Sequence, residues 1–531
     1  MSRRLFPVLF VAVLLVGLAL RVGRLDVRPM HHDEANQAVR FGTLLETGEY
    51  RYDRNDHHGP TLYYLTLPSA WLRGQHTLAA LDERTIRVVP VAFGAGLLLL
   101  FLLLARGLGR PAVTIAALLA AISPALTYYS RFYIQESLFV FFALGFAIAL
   151  GRYMLCAGAG WALAAGSFAG LAYSTKETSI IVLLAALVAS VIARATAWSD
   201  AAAAPTLLPS AGPTKLATGR GRDLRTFRRL SHIALALATA AVIAVTLYTS
   251  FFTNLAGSVE SVRAFGIYLA RGIDPGAHAE PWHYYFRLLA WSTTGGLVWT
   301  EALVLVLALA GAIVAYRRRR VSFWPLYLCL YSVITAAVFS VVRYKTPWNL
   351  LPFHAGFVLL AGFGAVSLFR AVRSRAVRAV LAAVFLVACV QLAGQSWRAN
   401  FSYPADPRNP YAYAQTSMDF LRLEERIRAV AAVHEDGRNM LVKVIAGPYE
   451  QWPLPWYLRA MTRVGYWPDA RRAGALEGTP VIIASQENAG LVEAALGDRY
   501  LSEFYGLRPG VLLTVYVQRS LWERFLKAPN R

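Results

Sequence analysis

Over most of its length the chain alternates between long apolar runs and short polar turns. The runs are roughly 17–25 residues long, the length at which a helix crosses the hydrocarbon core of a bilayer. Read this way, the pattern predicts about eleven spans, at 5–22, 85–105, 112–129, 132–154, 158–174, 178–195, 230–251, 286–316, 322–342, 349–371 and 376–394. One apolar stretch, "TLYYLTLPSAWL" (61–72), is too short to cross and predicts a helix in or dipping into the interface. The segment 196–229, rich in Ala, Pro, Gly and Thr, predicts a flexible linker. After about residue 395 the runs shorten and charge rises. There "TSMDFLRLEERIRAVAAV" has helical periodicity, while "MLVKVIAG", "PVIIAS" and "GVLLTVYVQ" predict short buried strands. The expected architecture is mainly α and polytopic: a transmembrane domain over 1–395, with its first outer loop at 23–84, and a small α/β domain over 396–531.

Composition sharpens this. The 531 residues are 56% hydrophobic and only 16% charged, which excludes an ordinary soluble multidomain protein. The net charge of +22 could suggest a nucleic-acid partner. Most of the excess, however, sits in short loops between apolar runs, where the positive-inside rule accounts for it without nucleic acid. Arg3 and Arg4 put the N-terminus in the cytoplasm. Alternation then puts "RGLGR" (106–110), the basic 196–229 segment, "RRRR" (317–320) and "RAVRSRAVR" (370–378) on the cytoplasmic side as well. Making 61–72 a full span would turn every later arginine cluster outward. The N-terminal apolar run has a basic start but no small-x-small cleavage site, so it is expected to be an uncleaved first span. Cys156, Cys329 and Cys389 lie in apolar runs without CxxC spacing and are read as small hydrophobes.

This topology collects chemistry on the outer face. The first outer loop holds His31, His32, Asp33, Glu34, His57 and His58. The turn before the fourth span holds Arg131, Gln135 and Glu136, and a later turn holds Lys176 and Glu177. The segment after the ninth span holds Arg343, Lys345, Trp348, Asn349 and His354. A single Lys or Arg at a helix end usually snorkels to the interface and means nothing more. Glu136 opens a long apolar run, so its carboxylate needs a partner, with Arg131 and Lys176 as candidates. His31, His32 and Asp33 are chemically suited to a divalent metal, although neighbouring helical residues point about 100° apart. Taken together, a carboxylate that can accept a proton, cations that can hold a phosphate, and aromatic walls meet the needs of sugar transfer from a lipid phosphate. No GxxxxGK[ST], GxGxxG in a βαβ setting, or HExxH occurs. The competing class is a flippase or transport accessory for lipid-linked glycans, for which ionisable residues near the bilayer midplane would be the sign.

The stretches "MHHDEANQAVRFGTLLETGEYRYD…HHGPTLYYLT" (30–66), "YSRFYIQESLFVFF" (129–142), "STKETS" (174–179) and "YKTPWNLLPFH" (344–354) resemble the GT-C glycosyltransferases. Within them the likeness is to protein O-mannosyltransferases, lipid A aminoarabinose transferases, and a prokaryotic subfamily labelled "flippase activity-associated". The resemblance covers about the first 395 residues and implies a polyprenyl-phosphate sugar donor, an inverting reaction, and a protein, lipid or glycan acceptor at the outer face of the cytoplasmic membrane. It implies Asp33 as the acid-base carboxylate with Glu34 beside it, and Glu136 as a second acid. Arg131, Lys176, Lys345 and Arg343 would contact the donor phosphate. His57, His58, Tyr63, Tyr64, Trp348 and Asn349 would line the cleft. The first loop lacks a DxD motif, so no metal requirement is carried over. The histidine pairs stay open between phosphate contacts, metal ligands and plain loop.

Overall fold

The computed structural model describes residues 4–55, 58–198, 219–274, 276–320 and 322–528. His57 and most of the 196–229 linker therefore lie outside the described residues. The chain divides into two compact units. One comprises 1–23, 49–65 and 88–402; the other comprises 24–48, 66–87 and 403–531. Two stretches of the first outer loop, 24–48 and 66–84, belong to the same compact unit as the C-terminal residues.

The larger unit is helical. Among the described residues, eight helices are long and apolar enough to cross a membrane: Leu5–Val22, Glu83–Leu108, Glu136–Cys156, Ser179–Thr196, Arg228–Tyr248, Phe323–Val341, Pro347–Ala371 and Arg375–Ser402. Three more of the expected spans are shorter helices, Arg110–Ile122, Ala159–Tyr173 and Ala302–Arg317. The shortfalls have local causes. The expected span 112–129 breaks at Ser123, which precedes Pro124 and is extended (φ −64°, ψ 123°), so a separate turn of helix runs from Pro124 to Tyr129. The expected span 286–316 contains a hairpin. Strands Ser292–Thr294 and Leu297–Trp299 pair across Gly295 and Gly296, whose φ values of 55° and 80° suit a tight turn that residues with a Cβ resist. The last part of the expected linker is helical too, since Gly219–Tyr248 is one helix. The short Ala302–Arg317 helix packs on Leu351–Ala371 through glycines: a Cβ on Gly364 would lie 2.0 Å from the Leu307 carbonyl oxygen.

In the smaller unit, a five-stranded sheet has the order Val464–Trp467, Val442–Ile445, Val481–Ser485, Val511–Gln518, Tyr500–Arg508. The first three strands are parallel and the last two antiparallel to their neighbours. Strands of continuous apolar sequence are expected to be covered on both faces, and these are. Val442, Val444, Val481 and Ile483 pack with Phe420, Leu423 and Ile427 of the Asp419–Val433 helix. Alternate residues Ile445, Ile482 and Ala484 pack with Val492 and Leu496 of the Gln486–Leu496 helix. The stretch 61–72 forms a 12-residue helix, Thr61–Leu72, short of a crossing.

Candidate functional site

In the smaller unit, Asp33 and Glu34 sit side by side in the first turn of the His32–Thr47 helix, yet their surroundings differ. His31 is the N-cap. Its Nδ1 accepts the Asp33 N–H at 3.0 Å, while Glu34 Oε2 accepts the His31 N–H at 3.1 Å. This reciprocal box satisfies two of the donors that a helix start leaves over. Glu34 is fully buried. Arg87 grips it with Nε and Nη2, each 2.8 Å from a carboxylate oxygen, and Arg28 Nη2 lies 3.4 Å away. Arg87 also donates to the Leu25 and Arg28 carbonyls, so one guanidinium fixes the whole entry to the helix. Both Glu34 oxygens are thus taken up by Arg87, Arg28 and the helix cap. The Asp33 side chain is 42% exposed against 0% for Glu34. A partly exposed carboxylate is thus held in the first turn of the helix.

The C-terminal chain builds the wall around this turn. Gln415 and Thr416 donate to the carbonyls of Pro29 and Met30, and the Met30 N–H donates to the Tyr457 hydroxyl at 2.9 Å. Trp456 Nε1 donates to Glu83 and Arg459 donates to the Leu81 carbonyl. The His32 ring lies near Tyr449 and Trp452, with ring centroids 6.1 Å apart in both pairs. Among the described residues there is no group of three or more His, Cys, Asp or Glu side chains arranged to hold a metal ion. Burial, partly offset by the Asp33 and Glu34 charges, pushes the His31 imidazole below its ordinary pKa.

In the larger unit, Glu136 at the first position of its helix pairs with Lys176, whose ammonium also donates to Asn349 Oδ1 at 3.1 Å. Both members of the pair are buried. Arg131 donates to the Leu20 and Arg21 carbonyls at the C-terminal end of the first span and lies over the Phe401 ring. That is a helix-end contact of the kind cations make. Lys345 is buried over Tyr285 and bonds back to the Val342 carbonyl; burial pushes its pKa down, with Glu280 opposing. Arg343 is exposed. Trp348 packs with Tyr129 and Phe132. Tyr63 packs on Tyr50, and the Tyr64 hydroxyl donates to Ser250.

Two clusters in this unit went unread in the sequence. His58 Nδ1 lies 2.7 Å from Glu177 Oε2 and 2.9 Å from the Tyr268 hydroxyl, and Tyr52 donates to the other Glu177 oxygen. Burial alone would raise the Glu177 carboxyl, but His58 and these hydrogen bonds hold it below the usual carboxylate range. The loop reaches this turn because Gly59 lies against the Ser174 carbonyl, where a Cβ would sit 2.2 Å from the oxygen. Ser123, Glu301 and His354 form the second cluster, fully buried. Ser123 Oγ and Glu301 Oε2 both meet the same ring nitrogen, Nε2, at 3.2 and 2.9 Å. A nucleophilic triad uses the two nitrogens for different partners, so this cluster is a clamp on the Ser123–Pro124 break. A "GG" between strand-like residues and an acid three residues after a cap were readable signals for the hairpin and the box.

Comparisons with known proteins agree with this architecture. The family described as Dolichyl-phosphate-mannose-protein mannosyltransferase matches residues 66–206. By sequence, no protein of curated function matches the chain. Among solved structures, ArnT from Cupriavidus metallidurans bound to undecaprenyl phosphate is similar over 100% of both chains, at 16% identity and a TM-score of 0.63. The oligosaccharyltransferase AglB from Archaeoglobus fulgidus, in complex with an inhibitory peptide and a dolichol-phosphate, is similar over 99% of this chain and 75% of its own, at 15% identity and a TM-score of 0.52. The fold is that of the GT-C glycosyltransferases.

Proposed function

We propose that this membrane protein of the GT-C fold transfers a sugar from a polyprenyl-phosphate donor to an acceptor hydroxyl at the outer face of the cytoplasmic membrane. The observation that carries the reading is the division of labour in "HHDE": Glu34 is consumed by Arg87 and the helix cap, leaving Asp33 accessible beside it. In the step, the Asp33 carboxylate accepts the acceptor's hydroxyl proton as the oxygen attacks the anomeric carbon. A new C–O bond forms, the bond from that carbon to the phosphate oxygen breaks, and the electron pair leaves with polyprenyl phosphate. Displacement from the opposite face inverts the anomeric centre. One base is enough, since phosphate leaves without needing a proton. Within the helical unit, the Lys176 ammonium, which Glu136 and Asn349 hold in place, and the exposed Arg343 are cations chemically suited to a phosphate. Undecaprenyl phosphate in ArnT and dolichol-phosphate in AglB support a lipid-phosphate donor for this chain.

The test is release of polyprenyl phosphate from a panel of radiolabelled polyprenyl-phosphate sugars by the purified full chain in nanodiscs. Release that requires Asp33 is expected. No turnover with any donor, together with normal function of Asp33→Asn in cells, would leave the transport-accessory reading instead.

A further inference from the structure

Between the expected spans 230–251 and 286–316, Ala256–Ile273 is an 18-residue helix with two unlike faces. One face packs on the helical unit. Ser261 and Ala264 are buried, the Ser261 hydroxyl lies 3.1 Å from that of Tyr173, and Phe265 packs on the Tyr173 ring. The Tyr268 hydroxyl on this side lies 2.9 Å from His58 Nδ1. The opposite face carries Leu255, Val259, Val262, Leu269 and Ile273, each between 51% and 72% exposed. At 100° per residue these five fall within about 80° of one another around the axis, with Gly266 in the same stripe. Glu260 stands off the stripe, bonded to Arg54 at 3.0 Å and Arg263 at 2.9 Å.

Five aliphatic side chains in one exposed stripe need a partner. The helix is not a span: it carries Glu260, Arg263 and Arg271 within its 18 residues and is absent from the eight candidates among the described residues. An apolar stripe bordered by charge on a helix of low overall hydrophobicity is the pattern of a helix lying in a bilayer interface. Continuity identifies the occupant. The preceding Arg228–Tyr248 span is mostly exposed, with Leu237, Val242 and Val245 at its surface. The exposed Phe251 and Phe252 at the corner carry that apolar surface on towards Leu255. At the corner the chain turns tightly, with φ values of 49°, 55° and 71° at Ser250, Phe251 and Phe252.

We infer that Ala256–Ile273 is an in-plane interfacial helix whose stripe beds into the acyl region of the leaflet where the Arg228–Tyr248 span ends. Its other face then holds Tyr268 against the His58–Glu177 cluster, so that cluster is braced by an element resting on lipid. The inference does not depend on the transferase reading.

The experiment uses the full chain with its three cysteines replaced by alanine, in nanodiscs of three parts phosphatidylcholine to one part phosphatidylglycerol. Single spin labels are placed at Val262, Leu269 and, as an aqueous reference, the exposed Arg51. Collision with oxygen, which concentrates in lipid, is compared with collision with a water-soluble nickel chelate. The expected result is an oxygen-to-nickel ratio several-fold higher at Val262 and Leu269 than at Arg51. A ratio equal to that at Arg51 would put the stripe in water and overturn the inference. Exclusion of both reagents would also overturn it, since protein, such as a second copy of the chain, would then cover the stripe.

Discussion

Asp33 and Glu136 both open a helix and both were expected in the reaction centre, but the two regions treat their carboxylates in opposite ways. Asp33 stands partly exposed on a turn whose structural demands its neighbour Glu34 meets. Glu136 is buried and committed to Lys176, which Asn349 also holds. A general base must reach a proton directly or through one water, which favours the open carboxylate. A buried ion pair offsets its desolvation only while both partners remain, which ties the closed one to stability. The comparison therefore separates a residue whose loss should stop chemistry from one whose loss should loosen the fold.

The separation can be broken by experiment. The largest effect is expected at Asp33: Asp33→Asn should lower transfer by on the order of 10²–10⁴-fold, the usual worth of a general base, with the melting temperature unchanged. Next, Arg87→Met leaves Glu34 buried and should cost about 3–5 kcal/mol in denaturant unfolding. The double variant with Glu34→Gln should recover part of that loss, because the two share one interaction. Recovery of nothing would mean that Arg87 acts through the Leu25 and Arg28 carbonyls alone. Glu136→Gln should cost about 3 kcal/mol for the same reason. If it instead left the melting curve untouched and abolished transfer, the contrast drawn here would fall.

The smallest effect concerns pH. His31 has its folded pKa pushed below the unfolded value of 6.5, so it stays neutral in the fold while the unfolded chain takes a proton. That stability is complete above about pH 6.5 and is lost as pH falls through that value towards the folded pKa. Protonation would also put a hydrogen on the Nδ1 that accepts the Asp33 N–H. His31→Asn keeps a capping oxygen without the titration. Its melting temperature should fall less between pH 7 and pH 5 than that of the unmodified chain.

What the sequence made legible follows from range. Apolar runs are local, so the long apolar helices and the three apolar strands of the sheet could be placed from pattern alone. The Tyr500–Arg508 and Val464–Trp467 strands were missed because "YLSEFYGLR" and "VGYW" mix polar and apolar residues without a clean period. The Ala256–Ile273 helix falls outside the expected spans because its sequence is too charged for one. The adjacent acids Asp33 and Glu34 are legible as a pair because their motif is contiguous. What Glu34 does is not legible: its partner Arg87 lies 53 residues away, and the wall from Gln415 to Arg459 lies nearly four hundred. Pairings at such separations depend on the fold, and no spacing rule reports them. For the same reason the Lys176–Glu136 pair was anticipated only as one of two options, and Arg131 took the end of the first helix instead.

The most direct test of the central claim is the initial rate of transfer by Asp33→Asn in nanodiscs, with a donor that the unmodified chain turns over and with the two melting curves matched. The account predicts a rate at least about 100-fold lower with the donor still bound. A rate within a few-fold of the unmodified chain would contradict it and pass the role of base to another residue.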